Sequence, residues 1–400
     1  MSRSQRTPGD PLPLSNDTSQ IRFDPKALLE DARGNTQLAD FGPGDFRPAL
    51  DVLLRTYDSH IISTKGRKKA YRRVVGLLAT RLRVAEALRK YPEIKERPIN
   101  SPMVLTGMPR SGTSALFNLL GADPSARALL LWETQFPDPM EGLAPGASDP
   151  RHDAIEAYYK QSRKENPEFT KMHFSSADTP EECVLLHAYS LGGVHFGTEV
   201  MLEPYGSWYQ KQDLHEMYSY YRLLLQMLDW QRPGDRWLLK APAHMWGIDS
   251  LIDTFPDVLI VWSHRNPLAC TASICSMTHM LMQDQVEMSK QELGPIVMDF
   301  YATSLERGLA LRDQCDPARF IDVKHDSFVA DSMGVVGQIY DHFDLELGDA
   351  ARQAMNTHIA AHPKGQHGKH QYQLDDWGLT VEDVTTRFAP YIDRFDINMD

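Results

Sequence analysis

The stretch Met103-Val104-Leu105-Thr106-Gly107-Met108-Pro109-Arg110-Ser111-Gly112-Thr113-Ser114 decides the fold of this chain. Its apolar start predicts a short buried strand, its two glycines bound a tight loop, and a helix is expected over 114–120. Strand, loop and helix in this order open an α/β unit. Because the backbone N–H groups of such a loop and the helix N-terminus attract anions, the segment predicts a phosphate-binding loop.

The same loop departs from the nucleotide-binding pattern GxxxxGK[ST]. Thr113 stands where that pattern requires a lysine, and the basic residue is Arg110 instead. Without that lysine an ATPase loses its contact with the β and γ phosphates. We therefore expect Arg110, Ser111, Gly112, Thr113 and Ser114 to bind phosphate without ATP hydrolysis. A P-loop kinase or NTPase stays the alternative, and a requirement for magnesium would reveal it.

Strand and helix patterns alternate along the rest of the chain. Further strands are predicted at 128–132, 237–240, 258–262 and 320–323, with helices starting near 268 and spanning about 291–312 and 335–343. Strands that alternate with helices predict a parallel sheet covered on both faces. The expected fold class is thus α/β, a three-layer P-loop-like fold with a central parallel sheet.

The segments outside this pattern predict a helical frame around the sheet. Residues 1–20 are polar and read as a disordered arm, and 21–98 read as a helical N-terminal extension. Residues 99–400 are expected to form the α/β domain, with a helical insertion at about 138–230. That insertion is rich in aromatic residues, which either line an acceptor pocket or form core.

Composition excludes several classes of protein. The chain has 400 residues, 42% of them hydrophobic, and a formal net charge of −12. The acidic balance argues against a nucleic-acid-binding protein. No apolar run approaches the roughly 18 residues of a membrane span, and the polar start lacks a secretory signal, so we expect a cytoplasmic protein. The four cysteines show no metal-binding spacing, so we expect reduced thiols and no metal site.

A second motif lies downstream of the loop. Trp262-Ser263-His264-Arg265-Asn266-Pro267 ends the clearest predicted strand, and Ser273 follows in the next helix. An arginine presents a bidentate fork to a phosphate, and the Ser273 hydroxyl can bond to the same group. With the Pro-Arg-Ser-Gly-Thr loop, this motif resembles the sulfotransferases that use 3′-phosphoadenosine 5′-phosphosulfate (PAPS), particularly bacterial and tyrosylprotein-type members.

The resemblance covers roughly residues 102–372 and implies specific contacts to the donor. The loop would bind the 5′-phosphosulfate, and Arg265 and Ser273 would bind the 3′-phosphate. A loose match to a C-terminal Lys-Gly segment adds Lys364, although the usual preceding arginine is absent. After the last strand, His325 stands where the family often has a tyrosine near the adenine.

The resemblance also implies the catalytic residues. Glu133 follows the second predicted strand, as the catalytic glutamate of tyrosylprotein-type enzymes does, and is the candidate general base. Lys240 ends the third strand and would stabilise the bridging oxygen of the leaving nucleotide, with Arg110 sharing the role. His244 is a rival base, because small-molecule sulfotransferases place a histidine shortly after the matching lysine.

The expected activity is transfer of a sulfuryl group from PAPS to a hydroxyl of a small apolar or phenolic acceptor, without a metal ion. In-line geometry, a carboxylate base and cationic stabilisation would carry the reaction. The alternatives are the kinase or NTPase and a non-catalytic nucleotide-binding protein. The presence of both Glu133 and Lys240 disfavours the last of these, and the oligomeric state is not readable from the sequence.

Overall fold

A computed structural model describes residues 22–61, 63–144, 146–165, 175–194, 198–282, 285–362 and 373–399. Its centre is a five-stranded sheet built from Met103–Gly107 (β1), Ala126–Ala128 (β2), Arg236–Lys240 (β3), Leu259–His264 (β4) and Phe320–Lys324 (β5). The spatial order is β2-β3-β1-β4-β5, and every pairing is parallel. The predicted α/β class with a central parallel sheet is confirmed.

The helices fall into an N-terminal group, an insertion between β2 and β3, and a set that follows the later strands. The α-helices are Pro25–Thr36 (α1), Arg47–His60 (α2), Thr64–Lys90 (α3), Thr113–Leu120 (α4), Leu131–Gln135 (α5), Pro150–Glu165 (α6), Val184–His187 (α7), Tyr205–Gln210 (α8), His215–Gln231 (α9), Ile248–Thr254 (α10), Pro267–Met282 (α11), Lys290–Arg312 (α12), His325–Ala330 (α13), Ser332–His342 (α14), Asp349–Ala361 (α15), Val381–Arg387 (α16) and Ala389–Phe395 (α17). Short 3₁₀ helices occur at Pro92–Glu96, Ala188–Ser190, Glu199–Met201, Pro242–Trp246, Pro317–Arg319 and Asp375–Trp377. Within the described ranges, no helix is both long enough and apolar enough to cross a membrane.

Two apolar cores lie on the two faces of the sheet, which makes the fold three-layered. Alternate residues of β1 point to opposite faces, so Leu105 packs in a core with Leu116 of α4. Val104 belongs to the larger core, which also contains Leu224 of the insertion and Leu78 of the N-terminal extension. The extension and the insertion therefore share one core with the sheet.

The buried side chain of Arg81 joins the N-terminal extension to the insertion. Its guanidinium lies 4.6 Å from the centroid of the Phe46 ring and 4.1 Å from that of Tyr220. It also donates to the carbonyl oxygen of Tyr189 at 2.9 Å. A buried arginine needs such partners, because its charge cannot be neutralised within the fold.

The register of the central strands brings their carboxyl ends to one edge of the sheet. Gly107 of β1 lies opposite Ser263 of β4, and Leu105 lies opposite Lys240 of β3. The chain leaves β1 towards β2 and β3 on one side and reaches β4 and β5 on the other. This change of direction beside β1 is the place where open α/β sheets bind ligands.

The second predicted strand is wrong in its position. The residues that pair with β3 are Ala126–Ala128, so only the first residue of the predicted strand 128–132 is in β2, and its last two, Leu131 and Trp132, begin the helix α5. The Glu133 side chain accepts the backbone N–H of Leu130 at 3.0 Å and so caps the start of this helix. This local capping and the short edge strand override the β preference of the apolar run.

Candidate active site

The loop between β1 and α4 has a conformation that its two glycines make possible. Gly107 has a φ of 133°, and a Cβ atom there would lie 2.4 Å from the carbonyl oxygen of Ser263. Gly112 has a φ of 91°, and its Cβ would lie 2.8 Å from the His325 ring. Both positions therefore require glycine, and the loop lies tightly between the end of β4 and the start of α13.

Polar groups of this loop are arranged for an anion. Ser111 and Thr113 are buried, and the Ser111 hydroxyl has no hydrogen-bond partner among the described residues. The Ser263 hydroxyl, at the neighbouring strand end, is buried and without a partner in the same part of the chain. Buried hydroxyls normally find a partner, so these two groups suit a phosphate placed at the helix N-terminus.

Three of the predicted donor-binding residues meet beside the loop. The Arg110 Nε donates to Ser273 Oγ at 3.1 Å, and Arg265 Nη1 donates to the carbonyl oxygen of Arg110 at 2.7 Å. Arg110 is exposed, Arg265 is half-buried and Ser273 is buried. The two arginines and the serine are thus linked to one another beside the loop, and their side chains are of the types that recognise a phosphate.

Tyr391 of the C-terminal helix α17 contacts the backbone of the segment that carries Arg265. Its hydroxyl accepts the backbone N–H of Arg265 at 3.2 Å and lies 3.3 Å from His264 Nδ1. His264 in turn contacts Asp322 at 2.8 Å. The sequence carried no local signal for Tyr391, because it lies in a separate helix near the end of the chain.

Lys240 lies at the other end of the loop. Its side chain is buried, and Nζ is 2.9 Å from both Ser114 Oγ and Glu182 Oε1. The ammonium group also faces the ring of Phe117, 5.5 Å from its centroid. A buried lysine at the end of a strand, next to a phosphate loop, is placed to neutralise an anion.

Glu182 is a site residue that the sequence reasoning missed. It lies in Pro180-Glu181-Glu182-Cys183, inside the insertion and far in sequence from every recognised motif. The backbone N–H of Cys183 donates to the carbonyl oxygen of Lys240 at 2.9 Å, which docks this segment onto the end of β3. Its Glu-Glu pair was the available signal, but two adjacent acidic residues are ordinary in a chain of this composition.

The carboxylate of Glu133 is buried and paired with two arginines. It is 1% exposed, and both its oxygens are bonded by Arg127 at 2.7 Å. Arg232 adds further bonds at 2.9 and 3.2 Å. Burial raises the pKa of Glu133, but the charges and hydrogen bonds of the two arginines outweigh it and lower the pKa below its ordinary value. The carboxylate is therefore held ionised in a buried ion cluster.

His244 is also enclosed. It is fully buried, and its Nδ1 lies 2.8 Å from the hydroxyl of Tyr218. Burial, with a smaller effect of neighbouring His187, lowers the pKa of His244 well below its usual value. Such an imidazole is a weak base. Lys364 lies outside the described residues.

His325 takes part in the site through its contact with Gly112. Its ring packs on the loop backbone, and burial and the charge of Arg265 lower its pKa, while its Nδ1 lies 3.4 Å from Asp326. An imidazole therefore stands next to the phosphate loop, at the start of α13. Among the described residues, no group of three or more His, Cys, Asp or Glu side chains is arranged to hold a metal ion.

Comparison with known proteins finds a matching family and several similar structures. The sulfotransferase family profile matches residues 102–349. The crystal structure of sulfotransferase STF1 from Mycobacterium tuberculosis superposes with a TM-score of 0.81 at 35% sequence identity, covering 92% of this chain and 98% of that one. Sulfotransferase STF9 from Mycobacterium avium gives a TM-score of 0.86 at 27% identity, covering 96% and 99%.

A curated relative adds information on acceptors. The omega-hydroxy-beta-dihydromenaquinone-9 sulfotransferase Stf3 of Mycobacterium bovis is 23% identical over 167 residues. These residues span 40% of this chain and 40% of that relative.

Proposed function

We propose, since this chain belongs to the sulfotransferase family, that it transfers a sulfuryl group from PAPS to a hydroxyl of a small apolar or phenolic acceptor. One observation carries the proposal: a phosphate loop has a two-arginine and serine cluster at one end and a buried lysine at the other. Arg265 Nη1 lies 2.7 Å from the Arg110 carbonyl oxygen, and Lys240 Nζ lies 2.9 Å from Ser114 Oγ. The cluster and the lysine therefore contact the two ends of the same loop.

The residues at the two ends fit the two anionic groups of the donor. Arg265, Ser273 and Arg110 would hold the 3′-phosphate, and the backbone and hydroxyls of 111–114 would hold the 5′-phosphosulfate. The unpartnered hydroxyl of Ser111 supports this reading, because a phosphate oxygen would satisfy it. Lys364 is proposed from the sequence resemblance alone.

The proposed reaction needs stabilisation of charge on the leaving group. As the acceptor oxygen bonds to sulfur, the bond from sulfur to the bridging oxygen breaks, and its electron pair stays on the 5′-phosphate. Lys240 is positioned to neutralise this charge, and its burial strengthens the interaction by excluding water. Because Arg110 contacts Ser273, we assign Arg110 primarily to donor binding and only secondarily to catalysis.

The acceptor class rests on the relatives. Stf3 is named for a menaquinone derivative that carries a hydroxyl, which favours an apolar alcohol. The described aromatic residues of the insertion give less support, because Tyr189, Tyr205 and Tyr209 are buried in the core.

The free thiols of all four cysteines support a reducing compartment such as the cytoplasm.

The test is turnover of PAPS with a panel of acceptors. Purified protein is incubated with PAPS and long-chain alcohols, sterols and phenols, and the formation of adenosine 3′,5′-bisphosphate and sulfated product is followed. Acceptor-dependent product that survives a metal chelator supports the proposal. Phosphorylation of the same acceptors by ATP and magnesium, with no use of PAPS, would establish a kinase instead.

A further inference from the structure

We propose that His264 is a positioning residue for donor binding, because its ring orients the Tyr391 hydroxyl, which in turn holds the backbone of Arg265. The inference rests on the function proposed above, in which Arg265 contacts the 3′-phosphate. His264 is the last residue of β4 and directly precedes Arg265 in the chain. Its side chain is fully buried, so it acts on the donor only through its neighbours.

The partners of the imidazole decide which ring nitrogen carries the proton. Nε2 lies 2.8 Å from a carboxylate oxygen of Asp322, and Arg312 donates to both oxygens of that carboxylate, at 2.6 and 2.8 Å. Burial raises the pKa of Asp322, but the hydrogen bonds and charges of His264 and Arg312 outweigh it and lower the pKa below its ordinary value. The ionised carboxylate can only accept, so His264 Nε2 carries a proton and donates it.

The other ring nitrogen is an acceptor for Tyr391. Burial lowers the pKa of His264 and outweighs the hydrogen bond and charge of Asp322, so the ring is neutral and Nδ1 keeps its lone pair. The Tyr391 oxygen lies 3.3 Å from Nδ1, and the other acceptor near its proton among the described residues, the Arg265 carbonyl oxygen, is at 3.5 Å. A hydroxyl that donates to Nδ1 keeps a lone pair for the Arg265 N–H, which it accepts at 3.2 Å.

Aromatic rings hold the imidazole in this orientation. The Phe395 ring is stacked on it, with 3.9 Å between the ring centroids and 23° between the planes. The Trp262 ring is nearly parallel to it, with a centroid distance of 6.4 Å. Phe395 and Tyr391 both belong to α17, so one helix supplies the stacking partner and the hydrogen-bond partner. A ring packed in this way keeps one rotamer, which fixes the direction of its Nδ1 lone pair.

The hydrogen bonds that begin at His264 end at the cluster assigned to the 3′-phosphate. Arg265 Nη1 donates to the Arg110 carbonyl oxygen at 2.7 Å, and Arg110 Nε donates to Ser273 Oγ at 3.1 Å. The groups assigned to the 5′-phosphosulfate belong to residues 111–114 instead. A displaced Arg265 should therefore weaken contacts to the 3′-phosphate and leave those to the 5′-phosphate in place.

Two substitutions of His264 separate the two bonds of its ring. H264Q places an amide nitrogen near the position of Nε2, so it keeps a donor for Asp322 and removes the acceptor of the Tyr391 proton. H264N places an amide oxygen near the position of Nδ1, so it keeps that acceptor and loses the donor for Asp322. The inference predicts that donor binding is impaired in H264Q and retained in H264N.

The experiment measures binding of adenosine 3′,5′-bisphosphate and of 5′-AMP by calorimetry, and turnover with PAPS and the acceptor that wild type sulfates best. We expect H264Q to bind the bisphosphate about fivefold more weakly, the effect of one lost hydrogen bond, with a matching rise in the KM for PAPS. Its affinity for 5′-AMP and its kcat should stay within about twofold of wild type, as should both affinities of H264N. The double variant H264Q/Y391F should bind the bisphosphate as Y391F does, because both changes break the same sequence of bonds.

Three results would overturn the inference: wild-type bisphosphate affinity in H264Q, an equal loss in H264N, or a loss of 5′-AMP affinity by the same factor. If H264Q does not fold, Y391F decides by the same pair of nucleotides. It should lose affinity for the bisphosphate about fivefold and keep that for 5′-AMP, and equal losses for both would overturn the inference. Wild type that binds the bisphosphate no better than 5′-AMP would instead overturn the proposed function, and the inference with it.

Discussion

The buried histidine His187 makes the stability of the protein depend on pH. It is 1% exposed, and neither ring nitrogen has a hydrogen-bond partner among the described residues. The rings of Tyr221 and His244 lie 4.8 and 5.4 Å away. Burial lowers the pKa of His187 to about 3. The folded state therefore keeps this imidazole neutral at pH values where the unfolded chain binds a proton.

The sign and size of the effect follow from these two pKa values. Because the folded pKa is depressed, stability is complete above the unfolded pKa of about 6.5 and falls as the pH decreases from there towards about 3. Between pH 7 and pH 5, proton binding by the unfolded histidine costs about 2 kcal/mol of unfolding free energy. His244, whose pKa is also lowered, acts in the same direction.

The assay is urea unfolding of wild type and His187→Gln at pH 7 and pH 5. Wild type should lose about 2 kcal/mol more than the variant between these pH values. A loss of unfolding free energy that is the same at both pH values cancels when the pH 7 and pH 5 results are subtracted. His342→Gln changes an exposed histidine in the same way and should keep the pH dependence of wild type. Equal pH dependence in wild type and His187→Gln would refute the reasoning.

Three further predictions concern the ion cluster, the loop and the arginine support. Glu133→Gln should lower the free energy of unfolding by about 3–5 kcal/mol, because it removes the counter-charge of Arg127 in the interior; urea unfolding measures this, and a loss below about 1 kcal/mol would contradict it. Gly107→Ala should abolish bisphosphate binding in calorimetry, because its Cβ would lie 2.4 Å from the Ser263 carbonyl oxygen; retained affinity would show that the loop adapts. Tyr391→Phe should weaken bisphosphate binding by about 1 kcal/mol, since the Arg265 N–H loses its acceptor, whereas unchanged affinity would show that the hydroxyl does not position the loop.

The sequence predicted the parts of the fold that are encoded locally. The apolar runs of β1, β3 and β4 are buried on both faces of a parallel sheet, so their strands were readable without knowledge of the partners. The edge strand β2 is only three residues long, and its apolar continuation became a helix capped by Glu133. The local cap by Glu133 and the short pairing of the edge strand outweighed the β preference of the apolar run there.

The candidate site divides in the same way. Arg110, Arg265 and Ser273 lie in motifs with recognisable spacing, and the structure brings them together. Glu182 and Tyr391 reach the site from the insertion and from the last helix, which depends on long-range packing. Of the two arginines that pair with Glu133, Arg127 lies six residues before it and Arg232 comes from a distant segment, and no local pattern predicts that both converge on this carboxylate.

The most direct test of the account is a thermal shift with adenosine 3′,5′-bisphosphate, measured beside 5′-AMP and ATP with magnesium. At about 100 times its dissociation constant the bisphosphate should add roughly 2.7 kcal/mol of stability, which corresponds to a rise of a few degrees in Tm. The account predicts this rise for wild type, a small rise with AMP, and none for Arg265→Ala. No rise with the bisphosphate, together with a clear rise with ATP and magnesium, would contradict it.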